Sequence, residues 1–290
     1  MIVVTGATGH LGSAVVENLA RRLPANRIVA SVRDAARASF IAGLGVDIRT
    51  GDFDDPASLE AAFAGAQQVL IVSADKLGDE ALRLHRNAIE AARAAGARRI
   101  LYTSHMGARP NSPFAPADQH AGTEADLAAS GGAWLALRHG FYAESCLHVI
   151  GDGLASGVLR APEDGPVSWT ARADLAEADA AILADDGRRD GVTPPLTAPQ
   201  ALTLTDVAAI ASDVAGRDIR RVVVSDDAWR EEKIAAGMPA MVAELLLGMF
   251  RAARRGDFAA TGPALETLLG RPPRTFRDVL AGTCGRARTL

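Results

Sequence analysis

The sequence predicts a doubly wound α/β fold with a parallel sheet and a smaller, mostly helical C-terminal lobe, on three observations. Short β-branched or aliphatic runs alternate with Ala-, Leu- and Arg-rich segments of helical period through the first half of the chain, the rhythm of βαβ units. A glycine-rich turn directly follows the first of these runs and opens the first helical segment. After Phe141 the rhythm decays into turn-rich stretches and separate helical segments.

Strands are predicted at 2–5, 27–33, 46–50, 68–72, 98–103 and 133–138. Between them, residues 11–23, 35–43, 56–64, 79–95 and 117–130 each space their polar residues to leave one apolar stripe, as a helix covering a sheet requires. Strands and helices in this alternation suggest a sheet wound both ways from its centre. Further on, 151–165 is rich in turn residues and 189–199 in Gly and Pro, while 203–215, 226–236 and 239–255 have helical period. A strand-like run at 219–224 and a turn at Gly270-Arg271-Pro272-Pro273 complete the pattern. The expected division is a nucleotide-binding domain over 1–150 and a smaller substrate-binding lobe over 151–290, whose elements are free to cross back to the sheet.

Composition narrows the function. The chain has 290 residues, enough to bury a sizeable core. Its two cysteines, Cys146 and Cys284, are too few for a disulfide framework or a cysteine metal site, which fits a reducing cytoplasm. No apolar run approaches the roughly 18 residues that span a bilayer, and the first strand begins at once without a basic leader, so cytoplasmic localisation without a membrane partner is expected. A formal net charge of −4 with scattered arginines argues against nucleic-acid binding, which needs a dense basic face. No His-x-x-x-His or His-Glu-x-x-His spacing suggests a metal.

The turn Gly6-Ala7-Thr8-Gly9-His10-Leu11-Gly12 carries the cofactor reading. Residues without Cβ let the backbone turn tightly and approach a pyrophosphate held by helix N-terminal amides. At the end of the second strand in such folds, a carboxylate selects the ribose 2′-hydroxyl and a cation the 2′-phosphate. Here the strand ends in Arg33, with Asp34 one step later, which favours NADP(H) over NAD. Other candidates stand at strand carboxyl ends, where ligands lie in these sheets: Asp52 and Phe53, Ser73, Thr103 with Ser104 and His105, and Arg138 to Gly140.

The tyrosine-plus-lysine pair of ordinary short-chain dehydrogenases is missing. Tyr102 and Tyr142 are the only tyrosines, with Met106 and Cys146 four residues on, and Lys76 and Lys233 are the only lysines. Where that pair would fall stand His120 and Glu124, one turn apart. Such a pair could donate a proton, the carboxylate orienting an imidazole that titrates near neutrality; an ordinary polar helix face fits the same residues.

The glycine turn, the strand ending at Arg33, Gly51-Asp52-Phe53, Tyr102-Thr103-Ser104, the stretch His120 to Glu124, the block Leu137 to Glu144 and Gly270-Arg271-Pro272 together resemble the NmrA-like atypical short-chain dehydrogenases, above all their bacterial quinone- and triphenylmethane-dye-reducing members. The resemblance implies a Rossmann domain with a small substrate lobe, NADPH preference and hydride transfer to quinones or similar conjugated acceptors. It implies that Gly6, Thr8, Gly9, His10, Leu11, Arg33, Asp52, Ser73 and Ala74 line the cofactor and that Tyr142 faces the substrate. Ser145 departs from the Asn or small acid those relatives carry. The expected catalytic residues are therefore His120 and Tyr142. NADP-binding redox sensors without turnover belong to the same group, and reduction of dyes or enones is a further alternative. A homodimer stays open, because 239–255 suits a dimer as well as a core.

Overall fold

In the computed structural model, which describes residues 1–185 and 190–287, the elements run β1 (Ile2–Val4), α1 (His10–Ala20), β2 (Ile28–Val32), α2 (Ser39–Ala42), β3 (Asp47–Thr50), α3 (Pro56–Phe63), β4 (Gln68–Ile71), α4 (Gly78–Ala94), β5 (Arg99–His105), α5 (Ala115–Ala129) and β6 (Ala133–His139). Then follow β7 (Phe141–Tyr142), α6 (Ala143–Ser156), β8 (Val158–Pro162), β9 (Trp169–Thr170), α7 (Arg172–Ala184), β10 (Gly191–Val192), α8 (Leu204–Ala215), β11 (Arg220–Val224), α9 (Asp226–Ala235), α10 (Ala240–Arg254), α11 (Ala264–Leu269) and α12 (Phe276–Ala287). Residue 189 of the Gly/Pro-rich stretch, the last three residues of the chain and the Cys284 side chain lie outside what is described.

Seven strands form one sheet in the order β3-β2-β1-β4-β5-β6-β10, every pair parallel. Strand order reverses between β1 and β4, the place where a doubly wound sheet opens its ligand crevice. Side chains alternate across it. Ile2, Val4, Leu70, Leu101 and Leu135 join α1 and α7 in one core, and Val3, Val29, Val69, Ile71, Ile100 and Tyr102 join α3 and α4 in the other. A third core builds the lobe from α6, α8, α10 and α12, with the two-stranded pairs β8–β11 and β7–β9.

Local chemistry sets several boundaries. Asp55 caps α3 by accepting from Ser58 N–H, with Pro56 at its first turn. Thr203 and Asp206 form a reciprocal capping box on α8. The expected helix over 35–43 is instead a 3₁₀ turn at Ala35–Arg37 followed by the short α2, because the Asp34 carboxylate takes the Ala36 N–H and starts a tight turn there. The turn-rich reading of 151–165 is also corrected. Helix α6 continues to Ser156, ends at the left-handed Gly157 with φ 80°, and leads directly into β8.

The chain after residue 150 serves both bodies. Helix α7 packs on α1, β10 extends the sheet beside β6, and Leu265 of α11 joins the core that holds Ile2 and Leu11. Among the described residues no helix is long and apolar enough to cross a membrane.

Candidate functional site

The glycine turn begins where Thr5 fastens β1 to β4: its hydroxyl donates to Leu70 O (3.2 Å) and accepts from Val72 N–H (2.9 Å). Gly6 then takes φ 58°, and Gly9 N–H donates to Gly6 O at 2.9 Å. A Cβ on Gly12 would lie 2.4 Å from Gly6 O, so the first helical turn can approach the loop this closely only without a side chain. Helix α1 has no side-chain cap and no acid in its first turn, leaving its leading N–H groups available for an anion. Thr8, Gly9 and His10 are exposed beside them. The residues present fit a dinucleotide pyrophosphate. Leu11 sits in the core, so it offers a cofactor its backbone rather than its side chain.

At the next strand end Arg33 is exposed and, among the described residues, takes no part in an ion pair. The Asp34 carboxylate is occupied by the Ala36 N–H at 2.9 Å. The neighbouring Asp52 carboxylate accepts from Asp54 N–H and its own backbone N–H donates to Ser58 Oγ, while Phe53 O accepts from Asn87. A Cβ on Gly51 would come within 2.6 Å of Ser31 Oγ, which explains the glycine before Asp52.

Ser73, Ala74, Thr103 and His120 are brought into one neighbourhood at the carboxyl ends of β4 and β5. Ser73 N–H donates to Thr103 Oγ1 and Ala74 N–H to His85 Nε2, each at 2.9 Å. With that nitrogen accepting, the His85 proton lies on Nδ1 and is donated to Thr123 Oγ1 at 2.8 Å. Burial lowers His85 to about 4, in keeping with a neutral ring. Thr103 is buried, so it holds the Ser73 loop rather than facing an opening.

His120 differs from the sequence expectation on two counts. Its Nδ1 shares a 2.7 Å hydrogen bond with the Tyr102 hydroxyl, while Glu124 turns away to a bidentate pair with Arg138 (3.0 and 2.7 Å) and a 2.6 Å bond from Ser104. Burial, reinforced by His105, His85 and His139, holds the His120 pKa well below the ordinary histidine value, so its cationic form is not populated near neutrality. A proton-donating imidazolium steered by Glu124 is replaced by a neutral ring held by a tyrosine. Burial also raises the pKa of Tyr102, removing it as a ready acid.

Among the described residues no hydrogen bond or ring contact joins Tyr142 to His120. The Arg172 guanidinium lies 4.9 Å from its ring centroid, and burial, then Asp179, raises its pKa. Beneath it His139 Nε2 meets Asp179 of α7 at 2.8 Å, both side chains buried. Beside His120 stands an aromatic wall. His105 is stacked on His120 (6.0 Å, 16°) and edged by Phe141 (5.1 Å) and Phe258 (5.3 Å), with Phe114 against all three of His105, Phe141 and Phe258. Sequence reasoning missed His85, Phe114, Phe258 and Asp179. Phe258 enters from far downstream with no local pattern to mark it. His85 lies on the apolar face of α4, where a histidine reads as core.

This strand order, with a glycine turn at the first strand and an uncapped helix behind it, defines a Rossmann-type dinucleotide-binding protein. The profile of the NmrA-like family matches residues 1–270, and the chain belongs to that family. It is 36% identical to Quinone oxidoreductase 2 of Escherichia coli (strain K12) over 279 residues, 96% of either chain. It is 31% identical to the NAD(P)H azoreductase of Xenophilus azovorans over 280 residues, again 96% of either chain. The crystal structure of the Escherichia coli NADPH-dependent quinone oxidoreductase complexed with NADPH superposes with a TM-score of 0.93, at 34% identity over 98% of this chain and 100% of that one. Citrobacter sp. triphenylmethane reductase complexed with NADP(H) superposes with a TM-score of 0.90, at 29% identity over 98% and 99% of the two chains.

Proposed function

We propose that this protein is an NADPH-dependent reductase that delivers hydride to quinones or similarly flat, conjugated acceptors. The observation that carries the reading is the aromatic wall of His105, Phe114, Phe141 and Phe258 beside the Ser73–Thr103 junction, in a site where burial holds the His105 and His120 rings neutral. NADPH, when bound, supplies the hydride. Gly6, Thr8, Gly9, His10, Leu11 and Gly12 hold its pyrophosphate, Arg33 its 2′-phosphate, Asp52 and Phe53 its adenosine side, and Ser73, Ala74 and Thr103 shape the nicotinamide end.

A quinone is already electrophilic and its reduced oxygen is a weak base, so placement against the nicotinamide replaces the strong acid that a ketone reductase needs. His120 and Tyr142 act as neutral hydrogen-bonding and stacking groups that position the acceptor. The acidic balance of the chain fits a small-molecule substrate rather than nucleic acid, and the reading places the protein in the cytoplasm.

The test is NADPH oxidation, followed by absorbance, across quinones, enones, azo compounds and triphenylmethane dyes with no flavin or metal added. Quinones should be reduced, and His120→Ala and Tyr142→Phe should slow them by roughly tenfold, the scale of one lost hydrogen bond rather than a lost nucleophile. Tight NADPH binding with no turnover of any acceptor would favour a redox sensor. Turnover confined to dyes or enones would keep the reductase and remove the quinone.

A further inference from the structure

The His105 side chain has a use that the rest of the site leaves unexplained. Gly107 N–H donates to its Nδ1 at 3.0 Å, so in the neutral ring the proton resides on Nε2. That Nε2 is buried and has no hydrogen-bond partner. A buried donor without an acceptor is costly, and aromatic faces are much weaker acceptors than an oxygen. Burial first, then His139 and Arg138, lowers the His105 pKa to about 3. The ring therefore stays neutral, with a fixed tautomer, at any working pH.

Position gives the donor its meaning. His105 ends β5, two residues beyond the Thr103 hydroxyl that anchors the Ser73 loop. The residue as a whole is half-buried, with its ring stacked on His120 and walled by Phe114, Phe141 and Phe258. Gly107 keeps this register because a Cβ there would lie 2.5 Å from the Phe258 ring.

We propose that the Nε2–H of His105 donates a hydrogen bond to the carbonyl oxygen of the bound acceptor. The proposal rests on the quinone-reductase reading above. The acceptor takes hydride from NADPH, which leaves as NADP⁺, and negative charge gathers on the acceptor's oxygen. His105 stabilises that charge without giving up its proton, and a proton from water completes the hydroquinone. A neutral imidazole suits this role, since its N–H is aimed at the oxygen before reaction and carries no charge that would have to be desolvated. The acceptor class selected is one with a carbonyl oxygen conjugated to its reducible centre.

The experiment compares wild type, His105→Phe and His105→Gln on a benzoquinone and on a triphenylmethane dye, which takes hydride at carbon and offers no carbonyl oxygen. NADPH affinity is measured for each protein. For His105→Phe, kcat/KM on the quinone should fall roughly 10- to 100-fold relative to the dye, as expected for one lost donor at a developing oxyanion. His105→Gln, which keeps a side-chain N–H, should recover part of that loss, and NADPH affinity should hardly change. Equal losses on quinone and dye, or full quinone turnover by His105→Phe, overturns the role of His105 and leaves the reductase reading intact. A wild type inert towards quinones overturns both.

Discussion

Arg33 and Asp34 stand side by side at the end of β2 and could have selected opposite cofactors. The structure separates their roles: Asp34 spends its carboxylate on the Ala36 N–H, and Arg33 is exposed without an ion pair among the described residues. Arg33→Ala should therefore weaken NADPH binding while sparing NADH, through loss of a charge-assisted hydrogen bond of roughly 1.5–3 kcal/mol, or about 10- to 100-fold in affinity. Titration of both cofactors into both proteins checks this, and an unchanged NADPH preference removes Arg33 from the phosphate site. At this scale the shape of the glycine turn was legible because glycine spacing after a strand reports a backbone shape directly. The partners of His120 were not. His120 and Glu124 share a helix face in sequence, but their partners, Tyr102 and Arg138, come from β5 and β6. Only tertiary contact shows which of two adjacent polar groups each one finds.

Helix α7 shows where element reading fails and why. It lacks a clean apolar stripe because both its sides are packed: Leu175, Ala176, Ala180 and Leu183 are buried, and so are Asp174 and Asp179. Two acids in a buried helix blur the helical period that identified α1 and α4. Strand β10 is a two-residue strand inside a Gly/Pro-rich stretch, shorter than any periodicity can register. The Gly270-Arg271-Pro272 signal, in contrast, acquires a physical meaning. Gly270 closes α11 at φ 66°, after which Arg271 and Arg274 converge on the buried Asp174 at 2.9 and 2.5 Å. The Arg274 N–H also reaches Asp174, and Arg271 binds Glu177 as well. Asp174→Ala should leave two arginines and a backbone N–H without their acceptor and destabilise the protein by on the order of 3 kcal/mol. Denaturant unfolding measures it, and a change below about 1 kcal/mol would reduce this junction to an ordinary surface pair.

The molecule as a whole keeps His85, His105 and His120 uncharged inside it, the first lowered to about 4 and the second to about 3, mainly by burial. Unfolded, each titrates near 6.5, so between that pH and the folded value the unfolded chain binds protons that the native state refuses. Stability should therefore be level above about pH 7 and fall on acidification below about 6.5. Thermal or urea unfolding between pH 8 and pH 5 reads this directly, and a flat profile would mean the rings are charged in the native state. The parallel sheet was legible because its strands and helices alternate locally, whereas the lobe took its form from distant pairings such as β8 with β11. The same distant pairing bears on how the protein is made. Ile2 and Leu11 share a core with Leu183 and Leu265, so a nascent chain leaving the ribosome carries an unfinished apolar face until its last quarter emerges. Truncation before Leu265 should therefore leave the α1 side of the sheet sticky and prone to aggregate.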